Sequence, residues 1–269
     1  MPPILLHIYG PFAIHSFGVM IVLGLMITLY LLHRDKPLQK LVSDEQLTTV
    51  FQVCFFAAMI GGRAWFLTTN LSTMTSWTDC FRVWDGGLSI LGAIISILIT
   101  LPLFLYTHQI PILALIDRLA LYAPLLQSIS RLGCFFAGCC FGKPTNLPWA
   151  IVYKNVDSSA PLNIALHPTQ IYSSLLLALI FIILIFFNNY CAKKHGQILA
   201  LYIMLISFDR FIIDFLRADQ EYFLSYKFLC NISIQQAVAL GLFLISSAMM
   251  IFITLFTKKI VTKPTNESI

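Results

Sequence analysis

Apolar residues run for about 20 positions at a time along this chain, and short polar clusters separate the runs. The runs cover about 12–32, 47–69, 86–106, 110–132, 168–187, 197–216 and 235–256. About 20 apolar residues in a helix match the hydrocarbon thickness of a bilayer. The pattern therefore predicts an all-α polytopic membrane protein with seven transmembrane helices. The fourth run does not stop cleanly: Gly133, Gly138 and Gly142 follow it, and apolar character continues to Phe141. A regular helix ending near Leu132, followed by a re-entrant or broken segment, is expected there. Irregular backbone at membrane depth survives only where protein or a cavity covers it. A polar outer loop from Lys143 to His167, carrying Pro144, Pro148 and Pro161, comes next. No linker, low-complexity tract or repeat interrupts the pattern, so a single integral membrane domain over residues 1–269 is expected. No basic segment precedes the first run, and no cleaved signal peptide is expected.

Composition agrees with the pattern. The chain is 58% hydrophobic and 11% charged, where soluble domains carry about 25% charge. The net charge of +5 resides mainly in short loops and does not point to nucleic acid. It sets topology instead. Arg34, Lys36, Lys40, Lys193, Lys194, Lys258, Lys259 and Lys263 fall on one side, and Arg82, Lys143, Lys154 and Lys227 on the other. The richer side is cytoplasmic, which leaves the N-terminus outside and the C-terminus inside. Trp77 and Trp84 suit an interfacial loop. Cys80 and Cys230 fall in two outer loops and can pair in an oxidising compartment.

The chemistry lies in the ionised residues within the spans, which are costly in lipid and functional by default. Arg131 opens the glycine-rich stretch Ser130–Gly142. Its guanidinium matches phosphate in a bidentate way, and glycine admits close backbone approach. Arg63 lies late in the second run, and Asp209, Arg210, Asp214 and Arg217 lie late in the sixth. Spacings of four and three put Arg210, Asp214 and Arg217 on one helical face, where Arg210 and Asp214 can pair. Asp117 and Arg118 sit near the inner end and can offset each other. The remaining positive excess calls for an external anion, and the abundant one there is a phospholipid phosphate. His167, before Pro168 and near Gln170 and Tyr172, is a candidate site residue at the start of the fifth span. Cys134, Cys139 and Cys140 have no second ligand pair at metal spacing. Helix packing is the expected role for this small-residue stretch, with no metal and no cofactor.

Taken in order, several stretches resemble one family, the prolipoprotein diacylglyceryl transferases. They are Ile14-His15-Ser16-Phe17-Gly18, Gly61-Gly62-Arg63, Trp84-Asp85-Gly86-Gly87-Leu88-Ser89, Ser130–Gly142, Leu147-Pro148-Trp149-Ala150, His167-Pro168-Thr169-Gln170-Ile171-Tyr172 and Arg210–Arg217. The resemblance implies a bacterial inner-membrane enzyme with seven spans. It would move a diacylglyceryl group from phosphatidylglycerol to the lipobox cysteine thiol of preprolipoproteins. Arg131 and Arg210 would hold the headgroup phosphate, and Gly142 would close the signature turn; His167 or Asp214 is the candidate base on this chain's own residues, not on the resemblance. Arg63, Gln170, Tyr172 and Arg217 complete the expected substrate contacts. The chain departs from the family where a histidine usually stands: the position is Leu91. Phe17, Cys134, Ala137, Cys139 and Ser173 also replace the usual residues. The alternative is a non-catalytic paralogue that binds anionic lipid, favoured by Leu91 alone.

Overall fold

The computed structural model describes residues 3–9, 12–70, 87–218 and 232–256. Among them it is mainly helical. A hairpin of β1 (Ile4–Tyr9) and antiparallel β2 (Phe12–His15) leads directly into α1 (Ser16–His33). Short α2 (Lys36–Gln39) follows, then α3 (Asp44–Thr69), α4 (Ile90–Thr107) and α5 (Ile112–Ala137). The two-residue strands β3 (Ile151–Val152) and β4 (Ala165–Leu166) pair antiparallel in the loop after α5. Helices α6 (Thr169–Tyr190), α7 (Gln197–Asp214) and α8 (Ile234–Phe256) complete the fold.

Six of these helices, α1, α3, α4, α5, α6 and α8, are long and apolar enough to cross a membrane. Helix α7 has 18 residues but carries Asp209, Arg210 and Asp214. The outward faces stay apolar: Ile90, Leu98, Leu175, Ile182, Ile245 and Leu255 are all exposed. Such faces suit lipid, where every backbone group must be satisfied within the helix. The chain is thus a multi-pass membrane protein. Two sequence expectations change. The first apolar run begins as strand, with Phe12–His15 paired to β1. The regular helix α5 continues beyond Leu132 to Ala137, so Arg131 sits within a helix and the break begins at Gly138. Cys80, Cys230, Arg82, Trp77 and Trp84 lie outside the described residues.

The chain divides into two compact units, residues 33–115 and a second formed by residues 1–32 with 116–269. In the first, α3 begins with a capping box in which Ser43 and Gln46 exchange side-chain and backbone bonds. Helices α3 and α4 approach closely through glycines. A Cβ on Gly61 would lie 2.7 Å from the Gly92 carbonyl oxygen, and one on Gly92 would strike Gly61 and Trp65. Arg63 donates to the carbonyl of Gly87 at 3.1 Å and stands over the Phe66 ring at 5.5 Å.

In the other unit α5 is the hub. Gly24 of α1 meets Leu126 and Ile129, and Gly133 of α5 meets Phe17 and Met20. Ser128 and Ser174 clasp α5 to α6 by donating to each other's carbonyls at 2.8 and 2.9 Å. Leu121, Leu177, Ile180, Leu184 and Ile198 form the apolar core of α5, α6 and α7. Asp117 does not act as a counter-charge alone. It is buried and accepts from the backbone N–H groups of Gly196 and Leu199, which closes the N-terminus of α7.

Replacing Gly92 by leucine should separate α3 from α4 and destabilise the protein by about 1–3 kcal/mol. Thermal unfolding in detergent checks this, against Gly241→Leu, where a Cβ meets nothing within 4 Å.

Candidate functional site

The turn after α5 is tied down from both sides. Gly138, with φ of +74°, starts it, and Cys140 takes a φ of +58° that non-glycine residues rarely adopt. Thr169 donates its hydroxyl to the Cys140 carbonyl at 2.8 Å, and Gln170 donates its amide to the Cys139 carbonyl at 2.7 Å. The Gly142 N–H donates to the His167 carbonyl at 3.2 Å, and the His167 N–H donates back to Lys143 at 3.0 Å. From the end of α7, the Leu216 carbonyl accepts from the Lys143 N–H at 2.8 Å, and the Ala218 N–H donates to Phe141 at 3.2 Å. Gly142 therefore pairs with His167 on one side and bridges Arg217 on the other. A Cβ there would lie 2.5 Å from the His167 Cβ and 2.6 Å from its carbonyl oxygen, so the position has no room for a side chain.

These ties join most of the residues singled out from the sequence. Gln170 is only 1% exposed, and its Oε1 and the Nδ1 of His167 are buried with no hydrogen-bond partner among the described residues. Tyr172 sets its ring edge-on to His167, with centroids 6.3 Å apart, and accepts from the Trp149 indole at 2.7 Å. Arg217, 7% exposed, donates to Gln235 at 3.2 Å. Tyr153 donates to the Phe135 carbonyl at 3.0 Å, and burial pushes its phenol up to about 12.

Beside this clamp lies a cavity of about 410 Å³. Arg131, Arg210, Asp209, Gln127 and Ser130 supply its polar wall. Phe17, Leu126, Leu177 and Ile206 supply an apolar one, and Cys134 completes the lining. Arg131 is half-buried and Arg210 exposed. The charges of Arg131 and Arg217 both reach Arg210. The expected pairing of Arg210 with Asp214 gives way to a different arrangement. Asp214 is buried and accepts from the hydroxyl of Ser233, while the carboxylate whose charge reaches Arg210 is Asp209. Asp209, 2% exposed, accepts from Ser173 at 3.2 Å, so the serine that departs from the family pattern serves a neighbouring acid.

Arg131 and Arg210 thus share one cavity. Gly142, His167, Gln170, Tyr172 and Arg217 share the adjoining clamp, and His167 does not line the cavity. Arg63 and Leu91 belong to the other unit, where Leu91 is 53% exposed on α4. Gln127 and Ser130 were not singled out in advance. Gln127 lies four residues before Arg131, and Ser130 four before Cys134; that helical spacing on α5 is the signal that finds them. In the turn, the thiols of Cys134 and Cys139 beside Cys140, with Arg217 and Arg131 farther out, hold the Cys140 thiol well below its ordinary value. The neighbouring Cys139 is pushed the opposite way, chiefly by Cys134.

An amphipathic cavity with two guanidiniums at one end and aliphatic walls can hold an anionic headgroup whose tails stay in lipid. Gly142→Ala should break the clamp, lower stability by about 1–3 kcal/mol and reduce occupancy of the cavity by an anionic lipid. Thermal unfolding and native mass spectrometry with phosphatidylglycerol check both effects.

Comparison with known proteins agrees in kind. The model of the family described as "Prolipoprotein diacylglyceryl transferase" matches residues 3–252. A phosphatidylglycerol–prolipoprotein diacylglyceryl transferase of Clostridium tetani is 32% identical over 220 residues, 81% of this chain and 86% of the relative. One from Thermotoga maritima is 32% identical over 224 residues, covering 78% of this chain and 73% of the relative. A Clostridium perfringens protein, phosphatidylglycerol–prolipoprotein diacylglyceryl transferase 2, is 31% identical over 207 residues, with 77% and 80% covered.

Proposed function

We propose a reaction for this chain from its kinship: it belongs to the prolipoprotein diacylglyceryl transferase family. As a member it is a multi-pass membrane transferase of lipoprotein maturation. The donor in our reading is phosphatidylglycerol, and the acceptor is the lipobox cysteine thiol of a preprolipoprotein in the bacterial inner membrane. Seven spans with the N-terminus outside and the C-terminus cytoplasmic would set the clamp near the outer surface. Helix α7 counts as the seventh, with its carboxylates Asp209 and Asp214 both buried and Arg210 lining the cavity.

The observation that carries this reading is the cavity shared by Arg131 and Arg210 and walled by Phe17, Leu126, Leu177 and Ile206. Phosphatidylglycerol has one anionic phosphate next to apolar tails, and the cavity offers both complements. The acceptor sulfur attacks the glycerol carbon, the carbon–oxygen bond breaks, and its electron pair stays on the phosphate oxygen. Charge on the departing glycerol phosphate grows in the transition state. Fixed guanidiniums aimed at that oxygen stabilise the transition state more than the ground state. Asp209 lines the same cavity as Arg210 and is itself held by Ser173. Gly142, Gln170, Tyr172, Asp214 and Arg217 serve by fixing the clamp and the end of α7 against which the substrates rest. His167 is the candidate proton acceptor of the clamp.

The non-catalytic alternative rests on Leu91 alone. A free thiol of pKa about 8.5 is a few per cent thiolate at neutral pH, so loss of one base slows the transfer without forbidding it.

Arg131→Ala and Arg210→Ala should each lower transfer to a lipobox peptide by about 10²–10³-fold, and Arg131→Lys should restore part of it. Mass spectrometry of the peptide reads the rate. Full activity in Arg131→Ala would sink the phosphate assignment. His167→Gln should leave phosphatidylglycerol binding unchanged and reduce turnover about 10²-fold.

A further inference from the structure

Three thiols have no part in the reading so far. The sulfurs of Cys134, Cys139 and Cys140 lie within 4.8 Å of one another. Cys134 is buried in the last turn of α5, and the other two are half-buried in the turn that follows. Their convergence depends on unusual backbone. The left-handed conformations of Gly138 and Cys140 fold the chain back on α5. Gln170 and Thr169 then fix the carbonyls of Cys139 and Cys140 from outside. Packing alone does not require three sulfurs to meet at a strained turn.

We propose that Cys134, Cys139 and Cys140 bind one thiophilic divalent cation of the zinc class. Zinc–sulfur bonds of about 2.3 Å put three ligating sulfurs about 3.8–4.0 Å apart. Each pair here therefore closes by about 1 Å at most, which side-chain rotation supplies. Charge is also matched. Three thiolates and a divalent cation sum to one negative charge, and the Arg217 and Arg131 guanidiniums both reach Cys140 electrostatically. Three protein ligands with a fourth position open is the pattern of a working zinc site, whereas structural sites are closed by four.

The site adjoins the arginine cavity because Cys134 lines both. Resting on the transferase reading above, the open position takes the acceptor thiol. A thiol bound to such a cation loses its proton outright. The proton passes by way of His167, the candidate proton acceptor of the clamp, to solvent, the sulfur pair forms the carbon–sulfur bond, and the pair of the broken carbon–oxygen bond leaves with glycerol phosphate. The cation thus supplies the thiolate at a chain whose Leu91 stands where its relatives' resemblance leads one to expect a histidine.

The test uses the full-length protein in detergent, reduced with a phosphine, stripped of metal and titrated with Zn²⁺ or Co²⁺. The expected result is one equivalent bound, with thiolate-to-cobalt charge-transfer absorption. That absorption should be lost in Cys139→Ser and in Cys140→Ser and kept in Cys54→Ser and Cys191→Ser. Absence of the band in the wild type, or its survival in the Cys139→Ser/Cys140→Ser double variant, overturns the site. Chelation should then lower peptide diacylglycerylation at least tenfold, with Zn²⁺ restoring it and phosphatidylglycerol binding unchanged. Stoichiometric cobalt binding in a protein without transferase activity upholds the site and rejects the reaction. Transfer by a protein that binds no cobalt rejects the site and leaves the reaction standing.

Discussion

The clamp on the turn from Cys139 to Lys143 is the constraint on which the site depends. Six backbone groups of that turn are held, two by Thr169 and Gln170 at the start of α6, two by His167, and two by residues just beyond α7. Buried backbone groups without partners cost about 1–3 kcal/mol each, so each tie is also a positional instruction. Because Arg131 lies two turns earlier on α5 and Arg210 one turn before the end of α7, fixing those ends fixes the two guanidiniums. Glycine is required at 142 because His167 already occupies the space a Cβ would take.

Around this polar centre the protein turns an apolar surface to its surroundings. The inward polar groups are consumed pairwise: Ser128 with Ser174, Ser173 with Asp209, Ser233 with Asp214, Asp117 with the start of α7. The cation-lined cavity offers its remaining polarity to a ligand, while His167 Nδ1 and Gln170 Oε1 stay buried without partners among the described residues. The division of labour explains how a chain with 11% charged residues sustains several within its helices.

Most helices were legible in the sequence because about 20 apolar residues admit one solution in lipid. The start of α1 and the end of α5 were not. Phe12–His15 are as apolar as the helix they precede, and pairing with Ile4–Tyr9 makes them strand. Glycine at 133 suggested a break, but there it serves close packing on Phe17, and the break waits for the positive φ of Gly138. Arg131 and Arg210 were legible from cost alone. The arrangement around Arg210 was not, since helical spacing favours Asp214, while tertiary structure gives Asp214 to Ser233. The convergence of three cysteines was invisible to spacing because it arises from the turn.

The central claim is that the two guanidiniums hold a phosphate so that a thiol can displace it. Its most direct measurement is the mass of a lipobox peptide after incubation with the purified protein and phosphatidylglycerol. A gain of one diacylglyceryl group, with glycerol phosphate released in equal amount, is what this account predicts. An unchanged peptide mass, with phosphatidylglycerol bound in the cavity, would contradict it.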